Sequence, residues 1–562
     1  MAKASPAFTN FTAGELSPRL DGRTDVGKYF NGCKTLQNFL VHPHGGATRR
    51  PGSIFVREVK NSANACRLIP FEFNVEQAYI LEFGDQYFRV HKDGGTVVSG
   101  GSPVEFSTPY TAAQLPDIKF TQSGDVMYIV HPSHAPRKIT RTSHTAWTIT
   151  EVTLLRGPFQ DENTTATTFL ASGRTGNVNV TASASTFAST DVGRLIKVHD
   201  GVTKITGFTS ATVVATTVQE NADGRTELMP SYTATTISAH EGDPSSTGLE
   251  HNDRYQDTAG QFLAQGFKVG QKVTVTGFTD SDNNESSAII VKVTEDTLLL
   301  APSADLTDEA AGDSVTISGD LTASTDWSLG AFSATTGHPA AVSFFEQRLV
   351  FASTEEQPQT LFFSVGGSFE DFADGVDADD ALVYTLGSNQ VNVIRYLQTG
   401  RVLLVGTSGG EFVVTSSNDE PISPTNTVIK RQATYGSANI QPVQVANVTL
   451  FVQRARRKLR ELVFDLNTDS YQAPDMTILA EHITESGIKE MSLQQEPDNI
   501  VWCVLNNGKF AGMTYRREEN VIAWHEHIIG GRSGACTVTV SDYANIAVGT
   551  TLTFTKSDGT TV

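Results

Sequence analysis

With 562 residues, 39 % hydrophobic content and a formal net charge of −20, the chain is long enough for three or four domains with several cores. Its acidity argues against a general duplex-DNA binder, whose affinity comes mainly from Lys and Arg on phosphates. No run approaches the roughly 20 apolar residues of a spanning helix, and the opening MAKASPAFTNF lacks the apolar core of a secretory signal, so no membrane insertion and synthesis in a cytoplasm are expected. Cys33, Cys66, Cys503 and Cys536 show no CxxC or Cys/His ligand spacing and are expected as free thiols.

Residues 1–60 hold nine Lys/Arg against four Asp/Glu, a local excess of cations in an acidic chain. From Phe11 to Val56 the sequence has no hydrophobic periodicity, and Pro, Gly and Arg recur every few residues. That composition disfavours long helices and favours an extended path with turns. The segment reads as a docking arm lying outside any core, with Arg19, Arg23, Tyr29, Arg49 and Arg50 as its candidate interface residues. Gly22 to Lys28 spells GxxxxGK, but Tyr29 stands where a phosphate loop needs Ser or Thr, and no apolar strand precedes it.

Short β-branched and aromatic runs parted by turn residues follow: Leu68 to Asn74, Ala78 to Gly84 and Tyr87 to Gly95. Asp117 to Thr150 divides at SGD, HPSHAP and TSHTA into four strands, the pattern of one antiparallel propeller blade. The same texture returns from Ala341 to Gly367, Val391 to Ser417, Gln441 to Asp465 and Ile488 to Ile529. An all-β fold is expected, a β-propeller body of six to eight blades at roughly 40–50 residues each. A pair of packed β-sandwiches is the competing architecture.

Between these stretches, residues 161–335 carry 23 Asp/Glu against 9 Lys/Arg and are rich in Thr, Ser and Ala. Thr186 to Val218 and Ala259 to Leu300 alternate apolar and polar residues, which predicts two small β-barrels or sandwiches joined by a flexible connection from Leu228 to Asp257. Trp327 and Phe332 are placed to pack the returning chain onto a blade. The expected division is a docking arm over 1–60, propeller over 61–160, inserted acidic β modules over 161–335, propeller again over 336–530 and a C-terminal β segment over 531–562.

Few constellations suggest chemistry. His525 and His527, two apart on a strand, would face one side as metal ligands can, but no third ligand is nearby, and Trp524 and Ile528 read as core. The loosely spaced Asp374, Asp377, Asp379 and Asp380 lack the Gly and closing Glu of a calcium loop. Gly406 to Gly410 matches GxSxG, yet strand-like residues follow at once instead of the helix of a nucleophile elbow. Arg454, Arg456, Arg457, Lys458 and Arg460 lie between two strand runs and predict a basic hairpin tip that is solvated, meets a neighbouring subunit, or touches DNA. No catalytic, metal or cofactor-binding residue is nominated.

The run GELSPRLDGRTDVGKYFNGCKTLQNFLVHPHGGATRRPG, Gly14 to Gly52, resembles the start of the tail nozzle proteins of short-tailed bacteriophages, also called tail tubular protein B. A second block is similar: Gln347-Arg348-Leu349, Pro358, Phe362-Phe363-Ser364, Gly367, Phe369 and Phe372. The likeness implies a virion tail component without enzymatic activity, a homohexameric ring continuing the tail tube below an adaptor protein. Such a ring would support fibres or a plug and enclose passing genomic DNA without binding it specifically. In this block Phe372 reads as structural, and Arg348 reads as buried and tying adjacent blades through backbone carbonyls, with a binding role as the alternative. The alternative is a propeller-type glycan-binding or glycan-degrading tail protein, which needs a carboxylate pair about 5–10 Å apart in a cleft.

Overall fold

A computed structural model describes residues 9–529 except 75, 222–223, 244, 247–250, 303 and 419. Cys536 and the C-terminal β segment expected over 531–562 lie outside the described residues, as do the first residues of the arm. The fold is all-β, its only helical elements among the described residues being three-residue 3₁₀ turns such as Pro18–Leu20 and Tyr29–Asn31.

Blade-type sheets dominate. Six four-stranded antiparallel sheets are present among the described residues, with consecutive strands side by side except for the fourth strand of the first, which follows three short strands. Blade A is Arg67–Asn74, Gln77–Gly84, Tyr87–Lys92 and Glu105–Ser107, with a short extra strand at Gly95–Thr96. Blade B is Lys119–Ser123, Val126–His131, His134–Arg141 and Trp147–Glu151, blade C Ala341–Phe345, Arg348–Ala352, Thr360–Phe363 and Leu382–Thr385. Blade D is Ile394–Thr399, Leu403–Thr407, Gly410–Ser416 and Thr427–Ala433, blade E Val443–Val445, Val448–Val452, Leu459–Asp465 and Ser470–Gln472. Blade F is Ile488–Gln494, Ile500–Leu505, Phe510–Arg516 and Val521–His527. The propeller-type expectation holds, and Gly406 to Gly410 is the hairpin turn between two strands of blade D. Central strands such as Arg348–Ala352 and Val448–Val452 are buried along their whole length, which explains why they read as continuous apolar runs instead of alternating ones.

The chain forms two compact units, Met1–Ser53 with Arg456–Lys458 and Met476–Val562, and Ile54–Ala455 with Leu459–Asp475. In the first, the N-terminal segment is no detached arm. Gly14–Glu15 and Gly32–Cys33 extend blade F as parallel strands, Gly14 registering with Trp524, and Gln37 bridges to Glu526. Leu36 and Val41 close a core with Val521 and Ala523, and Ala13, Leu16 and Leu40 are also buried. The segment's lack of periodicity reflects two-residue strands, too short to show alternation, and not the absence of a core.

In the second unit, residues 161–335 build two sheets. Phe169–Ala171, Asn177–Ala182, Val213–Val218, Gly201–Ser210, Leu195–Val198 and Trp327–Leu329 form the first in that spatial order. The second runs Ser231–Ala234, Val315–Gly319, Lys272–Thr276, Ala288–Val293, Thr297–Leu300, Arg254–Asp257, Ile237–His240, so its two edge strands are consecutive in the chain and it curls around one core containing Tyr255, Phe262 and Phe267. Of the flexible connection expected from Leu228 to Asp257, residues 244 and 247–250 lie outside the described residues, while the described parts on either side supply three of those strands and Leu228 is fully buried in the core of the first sheet. Polar spacing at EGDPSSTG hid strands of only four residues.

Trp327 also departs from expectation. It stacks on Phe169 at 3.9 Å between centroids, with the rings 5° from parallel, and so belongs to the inserted sheet and not to a blade. Phe332 does return to blade C, edge-on against Phe351 and Phe362. The crossing point lies between them: Phe159 bridges Gly330, Gln160 N–H donates to the Leu329 carbonyl and Ala331 N–H to that of Pro158. The insert therefore leaves and re-enters its parent through one paired neck.

Candidate interaction surfaces

The cations of the N-terminal segment are mostly committed locally. Arg19 is 2.7 Å from Glu481 and Arg23 2.7 Å from Asp25, both exposed pairs that contribute little to stability. Tyr29 Oη accepts from Gly22 N–H at 3.3 Å and its ring meets Phe30 edge-on. Arg50 donates to the carbonyls of Pro51 and Ile528, while Arg49 stands exposed on the short strand Ala47–Arg49. The group that sequence reading missed is Glu15: buried among these residues, it accepts from Leu36 N–H at 2.7 Å and pairs with His482 Nε2 at 3.0 Å. Nothing in its local sequence marks it, since both partners come from distant positions.

The basic hairpin sits between Val448–Val452 and Leu459–Asp465, as expected, but its cations do not act as one patch. In the first unit Arg457 pairs with Glu485 at 3.2 Å and the Arg456 carbonyl accepts from Ile488 N–H. In the second, Arg454 donates to the Ser408 carbonyl at 3.4 Å. Arg460 is buried over the Tyr435 ring at 3.6 Å and donates to the Ala473 carbonyl at 2.5 Å, so it packs the blade. Lys458 is exposed.

Arg348 is buried, as expected, yet it binds within one blade instead of tying two. Its guanidinium donates to the carbonyls of Ser364, Asp379, Asp380 and Ala378 at 2.8, 3.1, 2.5 and 2.7 Å, all on the connection between the third and fourth strands of blade C. That fixes the acidic run: Asp380 also accepts from Asp377 N–H, and Asp374 pairs with Lys197. Phe372 on the same connection is buried and stacks on Phe351 with rings 22° apart.

A cavity of about 250 Å³ lies where the neck meets blade C, lined by Phe159, Glu162, Lys197, Asp326, Trp327 and Asp374 among others. Glu162 and Asp326, far apart in sequence, share a side-chain hydrogen bond that raises the Glu162 carboxyl. Both side chains are exposed, and their direct contact is unlike the 5–10 Å separation of a glycosidase pair.

The two histidines of blade F face each other: His525 Nδ1 and His527 Nε2 are 2.5 Å apart and both rings are buried. Trp524 is core, but Ile528 is 56 % exposed, since the strand ends at His527. No group of three potential metal ligands occurs among the described residues. Burial holds both imidazoles well below their ordinary range, each lowered further by a cation or ring beside it, His527 for His525 and Arg50 for His527. In the second unit burial likewise depresses His131 and His338 to about 4, with the neighbouring His134 adding to both. Unfolded histidine titrates near 6.5, so between about pH 6.5 and 4 the unfolded chain binds more protons than the folded one. Stability present above pH 6.5 is therefore lost as pH falls, on the order of 3 kcal/mol per buried histidine by pH 4. Thermal melts from pH 7.5 to 4.5 should show a falling midpoint that His131→Asn flattens; a midpoint level over that range contradicts it.

No family model matches the sequence, and no curated protein does. Among solved structures, AztD from Citrobacter koseri shares 7 % identity over 81 % of this chain and 83 % of its own, with a TM-score of 0.28. BamB from Moraxella catarrhalis shares 8 % over 46 % and 69 %, with a TM-score of 0.20. The BBS1N chain solved with ARL6DN shares 9 % over 80 % and 92 %, with a TM-score of 0.27. Likenesses this weak bear on neither function nor partner. No helix among the described residues is long and apolar enough to cross a membrane.

Proposed function

We propose that the chain is a structural component of a short-tailed bacteriophage tail, a nozzle subunit that assembles with further copies into a ring below the adaptor and carries fibres or a plug. The observation that carries this reading is the residue order from Gly14 to Gly52, which resembles the start of nozzle proteins. The arrangement of blade-type sheets with acidic β modules on one neck is consistent with it. The charge of −20 suits a conduit, because duplex DNA carries one charge per about 1.7 Å and would stall on many Lys and Arg contacts. The basic hairpin, its cations divided among separate local partners, offers no continuous track for phosphates. The protein acts here by shape and charge and not as an enzyme.

One observation favours the second reading, a glycan-binding tail protein: the cavity at the neck places Phe159 and Trp327 beside carboxyl groups, as sugar sites do. Titration with duplex DNA tests the first. Binding no tighter than about 10⁻⁴ M at physiological salt is expected, and submicromolar affinity would overturn the slippery-conduit reading.

A further inference from the structure

Between the strand Ala47–Arg49 and blade A the chain is exposed and has no regular secondary structure from 51 to 59. From Gly52 to Arg57 no backbone group has a hydrogen-bond partner among the described residues. Three consecutive large apolar side chains stand in this stretch, Ile54, Phe55 and Val56, at 86, 72 and 44 % exposure. Drawn into a strand, the segment would point alternate side chains to opposite sides and be apolar on both faces. A segment with unpaired backbone and apolar side chains is what β-augmentation takes up, main-chain bonds to a sheet edge giving affinity and side-chain pockets giving specificity.

Charge selects the partner. Arg49 and Arg57 flank the apolar trio in sequence, both exposed, and no ion pair holds either among the described residues. Cations beside an aromatic anchor suit an acidic surface, and the chain supplies one: +5 by sequence count over residues 1–60, it is −20 overall. We propose that Ile54–Val56 docks on a sheet edge of a second copy of this chain, the cationic start of one subunit meeting the acidic body of the next. Such a contact is heterologous, and repeated it closes into a ring or continues as a filament. The inference rests on the ring reading above and names the segment that joins its subunits.

The full chain serves for the test. Sedimentation velocity compares wild type with the double variant Ile54→Ser, Phe55→Ser, whose circular dichroism and melting should be unchanged because neither side chain is in a core. The variant should assemble at least about tenfold more weakly, equivalent to 1.4 kcal/mol. A photo-crosslinking amino acid at position 55, in a mixture of isotope-labelled and unlabelled copies, should give mixed-isotope crosslinks on Asp- or Glu-bearing strands. A variant that assembles like wild type, or crosslinks confined to one copy, its own termini included, overturns the segment's role while leaving the ring reading in place. Wild type that stays a single chain at its highest soluble concentration, alone and with tail partners, overturns both.

Discussion

Deleting residues 1–51 should unfold the unit that contains blade F. Leu16, Leu36, Leu40 and Val41 are buried there, and at about 1.5–3 kcal/mol for each fully buried aliphatic side chain their removal costs as much as the whole stability of an ordinary domain, about 5–15 kcal/mol. The backbone adds to this. Asn38 N–H donates to the Glu526 carbonyl and Glu526 N–H to that of Leu36, so Val521–His527 would lose its neighbour and Glu15 its place beside His482. Limited proteolysis should then cut within 476–529, and one thermal transition should vanish. A truncated chain that keeps every transition and resists cleavage there would show that the segment merely docks. Gly14→Val is the single-residue counterpart: φ is +67° and a Cβ would lie 2.4 Å from the Trp524 nitrogen, so the parallel strand cannot form with any side chain at that position.

Arg348→Met should cost roughly 3–5 kcal/mol, because four carbonyls of the blade C connection lose their donor while still shielded from water. Urea denaturation measures this as a lowered midpoint with little change in slope. Arg348→Lys should recover only part of the loss, since a single ammonium cannot span carbonyls that a planar fork reaches together. A cost below about 1 kcal/mol for Arg348→Met would mean that water replaces the guanidinium and that the connection is not held by it.

The blades were legible in the sequence because most of their inner strands run five to eight residues with Val, Ile, Phe and Tyr between turn residues, as in Val126–His131 and Gly410–Ser416. What escaped was structure made of pieces too short to carry a period. Gly14–Glu15 and Gly32–Cys33 have two residues each, and their pairing with blade F joins positions some 500 residues apart. Ser231–Ala234 and Ile237–His240 have four and were hidden in a polar stretch. Arg348 was recognisable as buried, but which carbonyls it holds depends on the path of residues 364–380, which no spacing encodes. Trp327 reads as an anchor in the sequence, but only the pairing of Phe159 with Gly330 marks where insert gives way to blade and puts Trp327 on the insert side. Glu162 and Asp326 meet for the same reason, one on each chain of that neck.

Assembly of the chain with its own copies as a structural subunit of a tail is tested most directly by native mass spectrometry of the full chain, alone and with candidate adaptor and fibre proteins. A closed assembly with a single whole number of copies, six by the family resemblance, that adds adaptor or fibre subunits in fixed proportion is the result expected. A chain that remains single under every condition, and shortens a glycan polymer when offered one, would contradict it.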